Sequence, residues 1–482
     1  MNIKLKIRTN LVVSLCILTF SFTSCQEFLE VETVGRTTIP NFFSTVDGLE
    51  AGLTGAYSEM YNYYSSEFYK YPEVAGNMVD LNTVSGETNI DMINQFNFIS
   101  DPEQEAGVVG YIWRKIFKAL ANVNNIIEYC PILSEQFPNQ IKQIERVKAE
   151  ALCLRAICHF DLCRVYAQPY NYTTDASHLG VPVLLVTPGP DDLPSRASVK
   201  DVYDQVIKDL LEAEELFADT PMKDAYHVSK KAVQALLSRV YLYKEDWDNA
   251  ILYSTKVIND SELAYNDDYL AMYNNLIAGK EAILRLNGTL KSKSLGTTFY
   301  AVSSPLAMPA DTLMSLFQDP EDIRLKLFKR TGAISFVTTK YHITIDFTPE
   351  EERYDPFILR ASEMYLNRAE AYSNRNELDK ASKDLAQLIA RALDKQPNEI
   401  DILFDSKEKL DEQIKKERVK ELCFEGHNFF DIIRRKEDLV RGQSTASNVK
   451  FLPYPNDLFI LPIPQMELDA NTNMIGNPTV NN

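Results

Sequence analysis

The sequence predicts an all-α fold, and three observations support this prediction. Apolar residues recur with a helical period along most of the 482-residue chain. Alternating apolar stretches long enough to form strands are few. Two segments also share the internal spacing of a helix–turn–helix repeat. Because 45% of the residues are hydrophobic and 11% are aromatic, the chain has ample material for a buried core.

The N-terminal segment has the form of an export signal. Lys4, Lys6 and Arg8 precede the run LVVSLCILTFSF, which is too short to span a bilayer as a helix. Cys25 follows this run and resembles the cysteine of a bacterial lipobox, which receives a diacylglycerol. We therefore predict a lipoprotein signal peptide over 1–24, lipidation at Cys25 and a tether over 25–41. The alternative is plain secretion with an unmodified Cys25.

The clearest helical segments follow in order along the chain. They span 45–64, 111–130, 144–167, 199–217, 229–260, 360–393 and 409–440. Two regions between them lack this period and are predicted to be loop-rich excursions with a few short strands: about 65–105 and 261–350. Since long irregular segments of compact domains are usually functional, we expect the excursions to carry the ligand site.

Two helical segments have the spacing of a tetratricopeptide pair. In each, a small residue is followed by a tyrosine after three positions and by an alanine after twelve, so that two antiparallel helices can approach closely. The first set is Ser238, Tyr241 and Ala250, and the second is Ala369, Tyr372 and Ala381. Tandem repeats would recur after about 34 residues, but these sets lie 131 residues apart. We predict tetratricopeptide-like helices mainly over 145–260 and 358–436, separated by an insertion.

Charge and cysteine content exclude several classes of protein. The formal net charge is −18, and removal of residues 1–24 would lower it to −21, which makes nucleic acid an improbable partner. The segment CLRAICHFDLC spaces its cysteines by five residues, which turns successive side chains by about 140° on a helix. One ion could not be faced by all three, so we expect buried thiols and neither a metal site nor a cofactor.

Several stretches in the same order resemble the SusD/RagB family of outer-membrane lipoproteins of Bacteroidota. They include AEALCLRAICHFDLCRVYAQPY, GVPVLL, ERVKELCFEGHNFFDIIRRKE and LFILPIPQMELDANTNMIGNP, and the resemblance runs nearly end to end. It implies a single SusD-like domain over 42–482 on the outer face of the outer membrane. The implied role is the capture of oligosaccharides for a SusC-like TonB-dependent transporter. A peptide ligand, as for RagB-like members, and a structural tetratricopeptide adaptor are the alternatives.

Sugar recognition requires flat apolar faces beside planar polar groups, so tyrosines near amides and carboxylates are the natural candidates. Both tryptophans, Trp113 and Trp247, lie in helical patterns and are interpreted as packing residues. In YNYYSSEFYKYPE, Tyr69 and Tyr71 alternate with Lys70, which suits an extended edge with one face outward. The predicted ligand-binding residues are Tyr69, Tyr71, Asn77, Asp80, Tyr300 and Tyr341.

An enzyme would need reactive groups at a shared site. Glu421, Glu425, His427 and Asp431 lie close in sequence, and His427 and Asp431 could face one metal ion across a helical turn. Phenylalanines, isoleucines and arginines surround them, which favours core capping and ion pairing. We therefore predict a binding protein with no catalytic residues.

Overall fold

The computed structural model describes residues 37–82, 90–217, 223–273, 279–288, 294–300, 305–331, 335–341 and 354–478. The predicted signal peptide, Cys25 and most of the predicted tether lie outside the described residues. The all-α prediction is confirmed, because the described residues are mostly helical and their strands are short.

The helices are α1 (Ile39–Phe42), α2 (Val46–Tyr64), α3 (Glu67–Ala75), α4 (Ile90–Phe96), α5 (Val108–Gln136), α6 (Ile141–Tyr166), α7 (Val199–Phe217), α8 (Lys230–Tyr243), α9 (Trp247–Ile258), α10 (Asn266–Ala271), α11 (Ser294–Phe299), α12 (Asp311–Met314), α13 (Ala361–Asn374), α14 (Leu378–Ala392), α15 (Lys407–Leu422), α16 (Asn428–Arg434) and α17 (Gln465–Ala470). Short 3-10 turns cover Pro138–Gln140, Ile323–Leu327, Pro397–Glu399 and Asp457–Phe459.

The strands form small antiparallel pairs. They are β1 (Val79–Leu81), β2 (Ala282–Arg285), β3 (Ala307–Pro309), β4 (Phe328–Thr331), β5 (Ser335–Thr338), β6 (Phe357–Arg360), β7 (Leu439–Val440) and β8 (Phe451–Leu452). The pairs are β1–β3, β2–β6, β4–β5 and β7–β8.

Helix α6 lies at the centre of the N-terminal helices, packed against α5 and α7. Cys153, Cys158 and Cys163 lie on it and are buried, as predicted. On one side, Tyr166 packs edge-on against Trp113 of α5, with ring centroids 4.9 Å apart. On the other side Arg155 Nε donates to Asp209 Oδ2 of α7 over 2.8 Å. The prediction that Trp113 is a packing residue is therefore confirmed.

The two predicted helix pairs form as α8–α9 and α13–α14. In each pair the small residues are completely buried: Ser238 and Ala250 in the first pair, and Ala369 and Ala381 in the second. Asp246 caps α9 by accepting a hydrogen bond from the backbone N–H of Asn249 over 3.2 Å. Small side chains therefore allow the close approach that the spacing predicts.

The two helix pairs are neighbours in space although an insertion separates them in sequence. Asn367 Nδ2 donates to Ser238 Oγ over 3.1 Å, and Arg368 Nη1 donates to Thr255 Oγ1 over 3.1 Å. Helix α13 thus lies against α9 as the next repeat of a tandem array would lie.

A buried ion network attaches the insertion to the second helix pair. Arg391 of α14 bridges Glu281 (2.7 Å), beside β2, and Glu421 (2.6 Å) of α15. Arg360 Nη1 also binds Glu421 over 2.6 Å. Burial opposes the charge on Glu421, but Arg391 and Arg360 outweigh it and hold its pKa well below the usual value. The network comprises Glu281, Asp322, Arg324, Lys340, Arg360, Arg391, Glu417, Glu421 and Glu425.

The prediction of an extended edge at Tyr69 and Tyr71 is wrong, because this part of the first excursion is helix α3. Pro72 lies inside the helix. Because proline disfavours helix interiors and the tyrosines alternate as in a strand, the helical period of this segment was not recognised from the sequence. Both sides of α3 are covered, since it packs against the segment around α16 as well as α2. Tertiary packing therefore decides the conformation here.

Candidate functional site

Strands β1 and β3 bring the two excursions together. Asp80 is paired with Met308, and Val79 and Leu81 are paired with Pro309 and Ala307. The segment 441–449 lies across this pair, because Asp80 accepts hydrogen bonds from it. We call β1, β3 and 441–449 the junction.

Asp80 is the predicted site residue best placed to meet a ligand. Its Oδ1 accepts from the backbone N–H groups of Leu81 and Ala446, both over 3.0 Å, and from Thr445 Oγ1 over 3.3 Å. The side chain is partly exposed, and no hydrogen bond to Oδ2 occurs among the described residues. One carboxylate oxygen is thus fixed by the fold while the other can accept a ligand hydroxyl.

Asn77 lies close to the junction but uses its amide within the protein. Its Nδ2 donates to the carbonyl of Val440 over 2.9 Å, and its Oδ1 accepts from Asn428 Nδ2 over 2.8 Å. Its backbone carbonyl accepts from Thr312 Oγ1 over 2.8 Å. These contacts fix β7, α12 and α16 around β1, so Asn77 acts as a positioning residue for the junction.

The four tyrosines among the predicted ligand-binding residues are buried. Tyr69, Tyr71, Tyr300 and Tyr341 are between 1% and 4% exposed. Tyr69 donates its hydroxyl to the carbonyl of Phe357, and the ring of Tyr71 meets Phe429 edge-on at 5.7 Å. Burial raises the pKa of both hydroxyl groups. Burial leaves these four rings little surface for stacking on a ligand, and their contact with a ligand stays a prediction.

Tyr341 shows why a tyrosine-rich excursion can be interior. Its hydroxyl donates to the carbonyl of Phe424, and its ring meets Tyr354 edge-on at 5.7 Å. Tyr300 follows Phe299, whose ring lies 5.2 Å from that of Phe424. A buried tyrosine is stable when a carbonyl accepts its hydroxyl proton. Composition alone therefore could not separate core tyrosines from ligand tyrosines.

A cleft of about 230 Å³ lies beside the junction. Leu458, Ile460 and Pro462 give it an apolar wall, while Asn97 and Asp457 supply polar groups. Its connection to the junction is direct, because Asn97 Oδ1 accepts from the backbone N–H of residue 448 over 2.8 Å. The mixed apolar and polar lining of the cleft suits a polyhydroxylated ligand. The sequence did not predict the cleft because its walls come from segments more than 300 residues apart.

The residues weighed for catalysis are engaged in structural contacts. Glu425 Oε2 binds Arg360 Nε over 2.7 Å, and Asp431 Oδ2 binds Arg418 Nε over 2.6 Å. Burial first, and then nearby arginines including Arg418, hold the pKa of His427 well below its usual value. The predicted ion pairing is therefore confirmed. Within the described ranges, no three His, Cys, Asp or Glu side chains are grouped so that they could hold a metal ion.

None of the helices in the described part of the chain is both long enough and apolar enough to cross a membrane.

Comparisons with known proteins agree with this architecture. Residues 27–242 match a SusD-like family model described as starch-binding associating with outer membrane, and residues 333–479 match the SusD family model. SusD-like protein P2 of Formosa agariphila is 23% identical, over 96% of this chain and 98% of that protein.

Solved structures share the fold over most of the chain. A SusD superfamily protein of Bacteroides thetaiotaomicron has a TM-score of 0.80 at 25% identity, over 90% of this chain and 100% of its own. A proposed sugar binding protein of Bacteroides vulgatus has a TM-score of 0.79 at 25% identity, over 90% of this chain and 98% of its own. With its tetratricopeptide-like pairs and family matches at both ends, the chain belongs to the SusD/RagB family.

Proposed function

We propose that this protein captures oligosaccharides at the cell surface and delivers them to a SusC-like TonB-dependent transporter of the outer membrane. The observation that carries the proposal is the junction with its adjoining cleft, in a chain whose family model is described as starch-binding. Apolar wall residues would cover one face of a sugar ring, while Asp80 and Asn97 would bind its hydroxyl groups.

Attachment to the membrane follows from the N-terminal pattern. We infer that residues 1–24 are removed and that lipidated Cys25 anchors the domain 42–482 through the tether 25–41. Capture requires no chemical step, so the protein acts without a catalytic residue, metal or cofactor.

Calorimetric titration against neutral and acidic oligosaccharides and a peptide digest tests the ligand class. We expect Asp80→Asn to weaken oligosaccharide binding about tenfold, because a charged acceptor that faces the ligand becomes a neutral amide. Asp267→Asn, which changes an exposed aspartate on α10, is the matched control and should bind as the unaltered protein does.

Two results would contradict the proposal. Binding of peptides without any oligosaccharide would support the peptide alternative. Shortened sugars after incubation, measured by mass spectrometry, would indicate an enzyme. Equal affinity of the Asp80→Asn variant and the control would remove Asp80 from the site.

A further inference from the structure

A second cleft, of about 200 Å³, lies among the tetratricopeptide-like helices. It is bounded by Trp247 at the start of α9, Glu370 and Asn374 near the end of α13, and Asp411 on α15. We infer that this helix-pair cleft is a second saccharide-binding site, selective for neutral sugars. The inference rests on the proposed carbohydrate function but concerns a different surface, since none of the junction residues lines this cleft.

Trp247 supplies the flat apolar group that a sugar ring requires. The capping contact from Asp246 starts α9 at this residue, and its side chain is only partly buried. Within the described residues, no ring or cation packs on its indole and no acceptor binds its N–H. Trp113 differs, because Phe117 and Tyr166 pack on it at 4.7 and 4.9 Å. Trp247 packs against the hydrophobic core, as the sequence predicted, while another part of its surface lines the cleft.

The acidic and basic groups of the cleft wall neutralise one another. Glu370 binds Arg434 over 2.5 and 2.8 Å, and Arg435 over 2.6 Å. Burial opposes the charge on Glu370, but the two arginines outweigh it and lower its pKa well below the usual value. Asp411 binds Lys407 over 2.5 Å. A ligand therefore meets fixed planar polar groups with little unbalanced charge.

The remaining wall continues this pattern. Lys415 of α15 forms an ion pair with Glu437. Asn374 Nδ2 donates to the backbone carbonyl of Glu370 over 3.0 Å, which orients its exposed amide, and no hydrogen bond to its Oδ1 occurs in the described part of the chain. An indole beside oriented amide, carboxylate and guanidinium groups suits neutral hydroxyl groups better than an ion.

Tryptophan fluorescence tests the inference directly, because the chain has only two tryptophans and Trp113 is buried. The purified protein is titrated with maltoheptaose, laminarihexaose, xylohexaose and trigalacturonate, with calorimetry in parallel. We expect at least one neutral oligosaccharide to shift the emission of Trp247 saturably and trigalacturonate to leave it unchanged. Asp80→Asn should preserve this shift, since it alters only the junction.

Variants of the cleft provide the quantitative test. Trp247→Ala should weaken the neutral ligand at this site at least tenfold, whereas Trp247→Phe, which keeps a ring, should weaken it less. Asn374→Ala changes an exposed side chain and should also weaken binding while Trp247 still reports the fold. Tyr265→Ala, an exposed aromatic outside both clefts, is the matched control and should leave the affinity unchanged.

The outcomes separate the two proposals. If neither Trp247→Ala nor Asn374→Ala changes the calorimetric affinity, the second site is overturned while the proposed function stands. An equal response to trigalacturonate would overturn the selectivity for neutral sugars. An absence of heat and of any emission shift across the whole panel would overturn both the second site and the proposed oligosaccharide capture.

Discussion

Single residues at the contact between α3 and α16 combine backbone strain with buried charge. Gly426 has a φ of +76°, a conformation that residues with a side chain rarely adopt. Its N–H donates to Glu73 Oε1 of α3 over 2.8 Å. Glu73 is buried, and its Oε2 has no partner among the described atoms. The contact therefore depends on one glycine and on a buried carboxyl group of which only one oxygen is hydrogen-bonded.

Replacement of Gly426 by alanine should destabilise the fold through its backbone alone. An added Cβ would lie 3.7 Å from Pro72 and from Tyr69, which is ordinary contact. We expect Gly426→Ala to lower the free energy of unfolding by about 1–2 kcal/mol, as measured by urea denaturation. Gly55→Ala is the control, because its Cβ in α2 meets only Asn122 at 4.0 Å. It should be neutral or stabilising, and equal losses in both variants would contradict the argument.

Glu73 should make stability depend on pH. Burial raises its pKa from 4.5 to about 7. Since the folded pKa exceeds the unfolded one, this group's contribution is fully present below pH 4.5 and is lost as the pH rises to 7. The loss amounts to about 3 kcal/mol.

The variant Glu73→Gln isolates this effect, because glutamine keeps the acceptor for Gly426 but does not ionise. Denaturant unfolding of both proteins is measured at pH 5 and at pH 7.5. At pH 5 the variant and the unaltered protein should have similar stabilities. At the higher pH the variant should be the more stable protein. A stability difference between the two proteins that does not change with pH would show that Glu73 does not titrate in this range.

At the scale of elements, helix pairs and small sheets have different origins. The pairs α8–α9 and α13–α14 follow from local spacing, which is why their small residues and turns could be identified in advance. The network around Arg391 and Glu421 instead joins β2, β6, α14 and α15, which local patterns do not connect. It fixes the inserted segment against the second pair.

The substitution Arg391→Met tests the network. It would leave Glu281 and Glu421 buried with one cation fewer, so we expect a loss of about 3–5 kcal/mol in the free energy of unfolding. The exposed pair of Lys200 and Asp204 is the control, and Lys200→Met should leave chemical denaturation unchanged. If Arg391→Met had no effect, the network would be dispensable for stability.

For the whole molecule, sequence reasoning identified the helical scaffold better than the site. Helical period and spacing are local, so the long helices and the displaced repeat were predicted. The environment of Tyr69 or Tyr341 depends on contacts with residues far away in sequence, such as Phe357 and Phe424. Both clefts likewise form only when distant segments meet. Asp80 was chosen because it follows the tyrosine cluster closely in a glycine-containing segment, and its contact with a ligand stays a prediction.

Membrane attachment is also a property of the whole molecule. We expect Cys25→Ala to leave a folded protein that is released from the membrane, because the predicted acyl chains would be absent. Cell fractionation followed by immunoblotting measures the distribution. Cys16→Ala, which changes a cysteine within the apolar run, is the control and should remain membrane-bound. Persistent attachment of the Cys25→Ala variant would refute the lipid anchor.

The adjacency of α9 and α13 has a consequence for how the chain folds. More than 100 residues separate these helices in sequence, so the contact forms only after a large loop has closed. Closure entropy grows slowly, by roughly 0.6 kcal/mol for each doubling of loop length, whereas folding slows as contacts become less local. The contact is therefore expected to form slowly, whereas its free energy should depend little on the length of the insert. The loops of the insert can therefore be lengthened while α9 and α13 keep their contacts, as long as Glu281 stays paired with Arg391.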